Sequence, residues 1–354
     1  MSPAQAQKAR GVDDSPYLEQ FRDALADRPV LVTGAGGLIG SAMCGALAGL
    51  GAHVTGSGRS KASPSAIGVA RWIKADLTRP DEVQALLKKS KPDLVFNLAG
   101  SLRGERSVAA IAPTLTSNLI ATINLLVASQ AIGASRIVNT GSLQEPTQAE
   151  EVPCSPYATS KWAGNAYARM FNDLFGLEAV IVRLFMVYGP GQNDHTKLIP
   201  YVTHRYLKGE RPRLTSGEYQ ADWIYVDDAV EGLIGAACVP EAKGGTFELG
   251  TGRLTSVRYV TKEIKHILGS PVDPEFGAKP DRRREVVRLP ELRSSRKVLG
   301  WSATTSLSDG LRKTVLSFRD AFNKTRDGIM TIGVMLWSRG SGDQPLVENV
   351  AAFF

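Results

Sequence analysis

The feature that most constrains this chain is a glycine-rich turn between an apolar β-branched run and an alanine-rich stretch. The turn reads Thr33-Gly34-Ala35-Gly36-Gly37-Leu38-Ile39-Gly40. Glycines at these spacings permit a tight turn, close approach of a pyrophosphate to backbone N–H groups, and close packing of helix on strand. The phosphate would lie at the positively polarised N-terminus of the following helix. The turn therefore predicts a dinucleotide-binding βαβ unit.

Residues 28–185 alternate short β-branched runs with longer amphipathic stretches, the pattern of βαβ units around a parallel sheet. Six runs are predicted strands, and a seventh follows a predicted helix at 226–238. The predicted strands are Val30–Thr33, His53–Gly56, Arg71–Ile73, Leu94–Leu98, Arg136–Thr140, Ala179–Leu184 and Thr246–Leu249. We therefore predict an α/β fold, a Rossmann doubly wound parallel sheet with a smaller, discontinuous C-terminal substrate domain.

The domain boundaries follow from where the chain leaves and rejoins this sheet. Pieces rich in Pro, Gly and Arg, with capped helices such as Ser256–Leu268, fit a substrate-binding part. The predicted organisation is an N-terminal extension at 1–27, an NAD(P)-binding Rossmann domain at 28–190 and 220–254, a substrate-binding domain at 191–219 and 255–326, and a C-terminal tail at 327–354.

Composition removes several classes of protein. With 43% hydrophobic and 22% charged residues, the 354-residue chain is neither disordered nor collagen-like. Apolar runs such as Ile329–Trp337 fall short of the ~20 residues of a membrane helix, and the acidic N-terminus lacks the apolar core of a signal peptide. We therefore expect no membrane association and a cytoplasmic location. Cys44, Cys154, Cys238 and four scattered histidines predict neither a disulfide framework nor a metal site.

The formal charge of +7 is concentrated in one segment. Residues 275–326 hold thirteen Lys or Arg against six Asp or Glu, an excess as large as that of the whole chain. Few aromatics interleave with these basic residues, unlike in a typical nucleic-acid surface. A small phosphorylated ligand, with a merely solvated face as the alternative, is therefore expected rather than a nucleic acid.

Cofactor choice depends on the residues that follow the second predicted strand. In NAD-binding proteins of this kind, an Asp or Glu ~20 residues beyond the glycine turn binds the adenosine ribose 2′-OH. No carboxylate occurs between residues 28 and 75, and the strand is followed by Arg59, Ser60 and Lys61. A guanidinium suits a 2′-phosphate, so NADP is favoured over NAD, with solvated loop charges as the alternative. Asp76, after the third strand, either reaches the adenine or starts the helix at Pro80.

A second constellation points to acid–base chemistry. Tyr157 and Lys161 stand four residues apart in a helical pattern, which places them on one helix face. A phenol with a reference pKa of ~10 needs a nearby cation to act as an acid–base group near neutrality, and Lys161 can supply it. Ser142 follows a predicted strand, at the sheet edge where open α/β sheets bind ligands. Joined to the glycine turn, these residues predict a redox site.

With these residues in place, the sequence resembles the extended short-chain dehydrogenase/reductases, specifically the NAD(P)-dependent epimerase/dehydratase family acting on nucleotide sugars. The resemblance spans roughly residues 28–316. It rests on the glycine turn, Tyr157 with Lys161, and on Asp76-Leu77, Asn97–Gly100, Asn118, Ser142, Arg183–Gln192, Asp222–Asp228 and Leu299–Trp301.

The resemblance implies roles for individual residues. Tyr157 would be the general acid/base, Lys161 would lower its pKa and hold the nicotinamide ribose, and Ser142 would hydrogen-bond the reacting sugar oxygen. Implied cofactor contacts, besides Tyr157 and Lys161, are Gly34, Gly37, Leu38, Ile39, Gly40, Arg59, Ser60, Lys61, Asp76, Leu77, Leu98, Ala99, Gly100 and Asn118. Implied contacts to a nucleotide-diphosphate sugar are Met186, Gln192, Lys197, Leu198, Arg213, Arg282 and Arg283. Similar proteins often dimerise through paired helices, so the helices 107–131 and 157–175 are the candidates for a homodimer contact, and the oligomeric state stays open.

Departures from the family pattern narrow the reaction. Met186 replaces the usual Asn, and Ala221 stands where an Arg often precedes the Asp-Trp pair. The 4,6-dehydratases carry an Asp-Glu pair directly after the catalytic Ser or Thr, whereas this chain has Leu143 and Gln144. Neither side chain can perform general acid–base catalysis. Dehydration is therefore not expected.

Three functions remain open from the sequence. The leading one is an NADPH-dependent reductase of a 4-keto nucleotide sugar, since the ribose acid is missing. The first alternative is a nucleotide-sugar 4-epimerase that retains NAD. The alternative from another class is a non-catalytic NAD(P)-binding sensor or RNA-binding scaffold, against which the intact Ser142, Tyr157 and Lys161 argue.

Overall fold

The computed structural model describes residues 15–60, 68–102, 105–148, 151–282 and 284–339, with side chains described through residue 326. Its strands are β1 Pro29–Thr33, β2 His53–Gly58, β3 Arg71–Lys74, β4 Leu94–Asn97, β5 Arg136–Ser142, β6 Glu178–Leu184, β7 Met186–Tyr188, β8 Gln220–Tyr225, β9 Thr246–Leu249 and β10 Leu254–Ser256. Seven of them form one parallel sheet in the order β3-β2-β1-β4-β5-β6-β9. The predicted fold class is confirmed, and all seven predicted strands lie in this sheet.

The strand order of this sheet creates a crevice. Chain order runs outward in one direction from β1 to β3 and in the other from β4 to β9, so the connections diverge between β1 and β4. Thr33 at the end of β1 is in register with Ser57 of β2 and Asn97 of β4. Ligands of open α/β sheets bind at the carboxyl ends of the strands beside such a switch point. The glycine turn and Ser142 both lie at this edge.

Helices cover both faces of the sheet because the buried strands are apolar on both sides. They are α1 Pro16–Glu19, α2 Arg22–Leu25, α3 Leu38–Gly49, α4 Pro80–Ser90, α5 Ile111–Thr114, α6 Ala121–Ile132, α7 Pro156–Phe175, α8 Leu198–Leu207, α9 Val226–Cys238, α10 Val257–Leu268, α11 Arg293–Val298 and α12 Leu307–Arg339. One core, which includes Leu47, Phe96 and Ile234, lies on the face covered by α3 and α9. The other core, which includes Leu87 and Leu125, lies on the face covered by α4, α6 and α7.

The connection from β4 to β5 is a continuous helical segment of mixed type. A 3₁₀ turn (Val108–Ala110) leads into α5, a π-helical stretch (Leu115–Ile120) and α6. By length and composition Val108–Ile132 could span a membrane, with a mean hydropathy of 1.5. Thr, Ser and Asn residues interrupt this segment, so it does not appear in the sequence as one continuous apolar run. Leu125 and Leu126 pack into the sheet core. A core helix of a soluble protein passes the same test, so the finding is weak evidence for a membrane.

The two ends of the described chain pack on different parts of the molecule, the N-terminal end on the core of the main sheet and α12 on α8 and α10. In the predicted N-terminal extension, Leu18 and Leu25 are buried in the core, and the Tyr17 hydroxyl donates to the Leu299 carbonyl (2.7 Å). At the other end, α12 runs without a break through residue 339. The predicted tail at 327–354 therefore does not start at a break in the backbone, because residues 327–339 continue this helix. Residues 340–354 lie outside the described residues.

A small sheet stands beside the main one. Strand β8 pairs in parallel with β7 and antiparallel with β10. Trp223 of β8 is in register with Met186, and its indole N–H donates to the Thr255 carbonyl (3.0 Å). Helices α8, α10 and α12 pack on one another next to this sheet. These elements contain the predicted substrate-binding pieces, and β8, which the sequence assigns to the Rossmann domain, joins this small sheet instead.

Candidate active site

The glycine turn forms a cradle that side chains would fill. Gly34 has a φ of +66°, and a Cβ there would lie 2.8 Å from the Leu98 carbonyl oxygen and 2.9 Å from Ala99. A Cβ on Gly40 would lie 2.2 Å from the Gly34 carbonyl oxygen. Gly34 therefore lies directly on the loop after β4, and the first turn of α3, which begins at Leu38, lies directly on Gly34. This bare backbone at a helix N-terminus fits the pyrophosphate of a dinucleotide.

The adenosine end of this cradle lacks an acid on β2. Gly58 ends the strand, and a Cβ there would lie 3.1 Å from the Trp72 ring. Arg59 and Ser60 are exposed, and the Trp72 indole donates to the Ser60 carbonyl (3.0 Å). The predicted contact Lys61 lies outside the described residues.

Asp76 and Leu77 follow β3 on the same side. The Asp76 carboxylate accepts hydrogen bonds from the Thr78 amide (3.0 Å) and hydroxyl (2.8 Å). These bonds, chiefly the backbone one, lower the pKa of Asp76, and the Arg59 charge acts in the same direction. Leu77 is buried in the core. The carboxylate of Asp76 thus organises the turn into α4, as a residue at a helix start does, and its contact with the adenine stays a prediction.

Ser142, Tyr157 and Lys161 come together at the end of β5. Helix α7 begins at Pro156, with the Ser155 hydroxyl accepting from the Ala158 amide (3.1 Å), so that Tyr157 lies in its first turn. Burial raises the pKa of Tyr157 to about 12, a hydrogen bond with Ser142 lowers it, and the Glu145 charge raises it. The three predicted catalytic residues are therefore neighbours in the fold.

Lys161 reaches back from α7 to the end of β5. Its Nζ donates to the Thr140 carbonyl oxygen (2.9 Å), and burial lowers its pKa to about 8. The lowering of the Tyr157 pKa by Lys161 stays a prediction.

Asn118 connects the loop after β4 to α7, the helix that carries Tyr157 and Lys161. It lies in the π-helical stretch, where its Oδ1 accepts from the Ser101 amide (2.7 Å) and its Nδ2 donates to the Ser160 hydroxyl (3.1 Å). A Cβ on Gly100 would meet Asn118 Oδ1 at 3.0 Å and Lys161 Nζ at 3.6 Å. The loop after β4 can therefore pass this close only with glycine at position 100. Such π-helical insertions are frequent at functional sites.

The two positions after Ser142 carry no acid–base group into the site. The Leu143 side chain is 4% exposed and packs in the core. Gln144 donates its amide N–H to the Ser142 hydroxyl (3.2 Å), and its Oε1 accepts from the Ser155 hydroxyl (3.4 Å). The next residue, Glu145, is fully buried behind Ser142.

The predicted substrate residues lie on several elements. Met186 starts β7 and is half-buried, and Lys197 precedes α8, which begins at Leu198. Lys197 Nζ donates to the Leu102 carbonyl (2.9 Å), and its pKa is lowered by burial, with the Arg282 charge contributing. Lys197 and Arg282 therefore lie near each other at the crevice.

The remaining predicted substrate residues are less clearly placed. Gln192 keeps a buried Oε1 that has no hydrogen-bond partner among the described residues. Arg213 is exposed and forms an ion pair with Glu275 (3.3 Å). Arg283 lies outside the described residues.

Sequence reasoning missed a buried polar ladder beneath the site. Asn97 donates to Asn139 (2.7 Å), Asn139 donates to Asn165 (2.7 Å), and Asn165 donates to Glu145 (2.8 Å). Asn97 ends β4, Asn139 lies within β5 and Asn165 lies on α7, so no local pattern in the sequence links them. Within the described ranges, no group of three or more His, Cys, Asp or Glu residues could hold a metal ion.

Comparison with known proteins places this geometry in context. Residues 30–250 match the NAD dependent epimerase/dehydratase family. The chain is 33% identical to the UDP-glucose 4-epimerase of Mycolicibacterium smegmatis over 312 residues, 82% of this chain and 98% of that protein. It is similar to the crystal structure of a UDP-glucose 4-epimerase with UDP-glucose from Thermotoga maritima, at 27% identity and a TM-score of 0.75, covering 83% of this chain and 99% of that one. It also resembles the Thermus thermophilus UDP-glucose 4-epimerase in complex with NAD, at 26% identity and a TM-score of 0.73, covering 82% and 98%.

Proposed function

The chain belongs to the NAD dependent epimerase/dehydratase family, and on that premise we propose that it is a nucleotide-sugar 4-epimerase. The observation that carries the proposal is an intact Ser142, Tyr157 and Lys161 constellation in a chain that aligns with 98% of a UDP-glucose 4-epimerase. Of the functions left open by the sequence, this favours the epimerase over the reductase. The substrate class that we propose is a UDP sugar, because all three of the similar proteins described above are named UDP-glucose 4-epimerases and one of them is described with UDP-glucose.

Each group of residues in the crevice has a separate role in the proposed reaction. Gly34, Gly37 and Gly40 form the cradle for the dinucleotide, which when bound takes up and returns the hydride of the C4 carbinol. Tyr157 Oη takes the proton of the C4 hydroxyl and gives it back, and Ser142 Oγ holds the same oxygen in place. Lys161 is the ammonium that offsets negative charge as the phenol loses its proton. Lys197 and Arg282 are the cations for the diphosphate.

The same geometry argues against dehydration. Loss of water from C5 and C6 needs a base for the C5 proton and an acid for the departing hydroxyl. Leu143 packs in the core, and Gln144 is engaged with Ser155. Glu145 is turned away from the crevice and held by Asn165 and Arg183. Among the residues that the structure describes, the site therefore has the groups to transfer a hydride and a proton at one carbon atom but not the second acid–base pair.

A second candidate, the NADPH-dependent 4-keto reductase, is favoured by one observation. Strand β2 ends in Gly58, and the first charged group after it is the exposed Arg59 rather than a carboxylate. A guanidinium can bind a 2′-phosphate in a bidentate manner. The related T. thermophilus enzyme is described in complex with NAD, so the cofactor distinguishes the two candidates.

The decisive experiment is to purify the protein, denature a portion, identify the released cofactor, and incubate the rest with UDP-glucose. Formation of the C4 epimer without added cofactor, with NAD in the released fraction, supports the epimerase. NADPH oxidation that depends on a 4-keto sugar nucleotide, with no epimer formed, supports the reductase. Binding of cofactor without turnover of any sugar nucleotide supports the sensor. Tyr157→Phe is the matched inactive control for both enzymes.

We also propose that the protein is a homodimer whose subunits contact each other through α7 and the neighbouring helical segment 108–132. Large apolar side chains are exposed there: Val108, Ile111, Leu115, Val127, Tyr167, Leu174 and Phe175. They lie on the 108–132 segment and α7, which pack side by side. An apolar surface of this kind is typical of a self-association site. Analytical ultracentrifugation of the protein and of Leu174→Lys checks the proposal: the wild type should be a dimer and the variant a monomer.

A further inference from the structure

A buried carboxylate lies directly behind the catalytic serine. Glu145 Oε1 accepts a hydrogen bond from the Ser142 amide (2.7 Å), Asn165 Nδ2 donates to both carboxylate oxygens (2.8 and 2.9 Å), and Arg183 Nε donates to Oε2 (3.1 Å). The Glu145 side chain has no exposed surface. Every group around this carboxylate is therefore a donor, which only an ionised acid satisfies fully.

From Arg183, a series of ion pairs and hydrogen bonds leads back to the loop that contains Ser142 and Leu143. Arg183 pairs with Glu248 (3.5 Å), and Glu248 accepts from Arg288 at 2.9 Å on both oxygens. Arg288 Nε then donates to the Leu143 carbonyl (2.8 Å). The side chains of Arg183, Glu248 and Arg288 are 15%, 7% and 18% exposed. We call Glu145, Arg183, Glu248 and Arg288 the charge ring, which is closed through Leu143 and Ser142 and has no net charge.

The backbone makes room for the charge ring. A Cβ on Gly141 would lie 2.5 Å from Glu145 Oε1, 2.6 Å from Asn165 Nδ2 and 3.0 Å from Arg183 Cγ. Any other residue before Ser142 would therefore displace the carboxylate or its partners. The glycine is an independent sign that this position of Glu145 is built into the loop.

The charge ring touches two parts of the chain that must cooperate in a two-domain enzyme. Ser142 and Leu143 belong to the end of β5, whereas Arg288 belongs to the segment of the predicted substrate-binding domain that follows Arg282. The Glu248 carboxylate also accepts from the Glu291 amide (2.8 Å), which ties that segment to β9.

We propose that Glu145 is a positioning residue for the reaction, which holds Ser142 against Tyr157 and, through the charge ring, couples the serine loop to the substrate-domain segment at Arg288. The proposal rests on the proposed function for the identity of the reaction but not for the contacts. A displacement of a reacting group by about 1 Å can cost on the order of 10²-fold in rate. Glu145 is enclosed by protein groups and has no surface open to the crevice, so its effect passes through Ser142.

The test replaces Glu145 with Gln. In either orientation the new amide NH₂ faces two donors, Asn165 Nδ2 and either the Ser142 amide or Arg183 Nε, so these hydrogen bonds are lost and the serine loop shifts. We expect kcat to fall at least tenfold, while the substrate KM and the cofactor Kd stay within threefold. The charged groups around Tyr157 are Lys161 on α7 and Glu145 after β5, with Arg183 of β6 behind Glu145. Because the Glu145 charge raises the pKa of Tyr157, removal of that charge should shift the tyrosinate absorbance titration to lower pH.

Glu178→Gln is the matched control, because Glu178 pairs with Arg136 (2.8 Å) at the opposite end of β5 and β6. It should lower thermal stability without changing kcat or the Tyr157 titration, which is assigned by comparison with Tyr157→Phe.

Arg288→Gln, at the more exposed end of the charge ring, is the second variant if Glu145→Gln does not fold, and it should lower kcat more than it raises KM. Unchanged kcat and an unchanged Tyr157 titration in Glu145→Gln, or equal changes in Glu178→Gln, would overturn the proposal. The titration needs no turnover, so inactivity of the wild type toward every sugar nucleotide would contradict the proposed function and leave this test intact.

Discussion

Gly40→Ala tests the cofactor cradle most directly. The added methyl group would lie 2.2 Å from the Gly34 carbonyl oxygen and 2.8 Å from Ala35 Cα, both backbone atoms that cannot rotate away. Since carbon atoms pack at ~3.5 Å or more, the start of α3 must move about 1 Å from the glycine turn. Overpacking of this kind costs about 1–3 kcal/mol of stability, and the same shift distorts the N–H groups that face the pyrophosphate.

Gly45→Ala is its control in the same helix. A Cβ at Gly45 meets no atom within 4 Å, so the substitution should stabilise the protein by about 0.5–1 kcal/mol, the usual gain for Gly→Ala inside a helix. Urea unfolding gives both free-energy changes, and isothermal titration calorimetry gives the cofactor Kd. We expect Gly40→Ala to weaken cofactor binding at least tenfold and Gly45→Ala to leave it unchanged. Equal cofactor affinity in the two variants would refute the assignment of this turn as the cradle.

Three further predictions concern the catalytic and cofactor groups. Tyr157→Phe should lower turnover by ~10² to 10⁴ while cofactor affinity stays within threefold; a rate within a few-fold of wild type would remove Tyr157 from the mechanism. Gly58→Asp with Arg59→Ala should shift the ratio of NAD to NADP affinity toward NAD, since a carboxylate accepts from a 2′-OH and repels a 2′-phosphate, with the Trp72 ring yielding a few tenths of an ångström to the new Cβ. Wild-type protein that binds NAD as tightly as NADP would contradict the role of Arg59. Lys161→Met should raise the free energy of unfolding near neutral pH, because burial lowers the Lys161 pKa to about 8 in the folded state; the gain should shrink as pH rises from 8 toward the unfolded value of ~10.4, and a gain independent of pH would be inconsistent with that lowered pKa.

The fold could be predicted because its signals are local. Each strand of the main sheet is a short β-branched run. The eight consecutive residues of the glycine turn predict how the strand, the loop and the helix meet. The pairing of Tyr157 with Lys161 is also local, since a spacing of four fixes one helix face. The placement of Ser142 needed only the rule that parallel strands share a carboxyl edge.

Some details went beyond this local information. The shared helix face of Tyr157 and Lys161 does not specify that Lys161 Nζ also donates to the Thr140 carbonyl oxygen, because that contact joins α7 to β5. Residues 327–339, which the sequence assigns to the tail, continue α12 to Arg339.

The sequence by itself therefore determined the parallel sheet and the glycine turn, and it predicted which side chains form the candidate catalytic site, because each depends on residues a few positions apart. Only the tertiary structure decided what surrounds them. Glu145 meets Arg183 from 38 residues away, and Leu143 meets Arg288 from 145 residues away. A buried carboxylate is stable only where several donors converge on it. That convergence depends on how β5, β6, β9 and the substrate-domain segment pack together, which no local pattern of residues specifies.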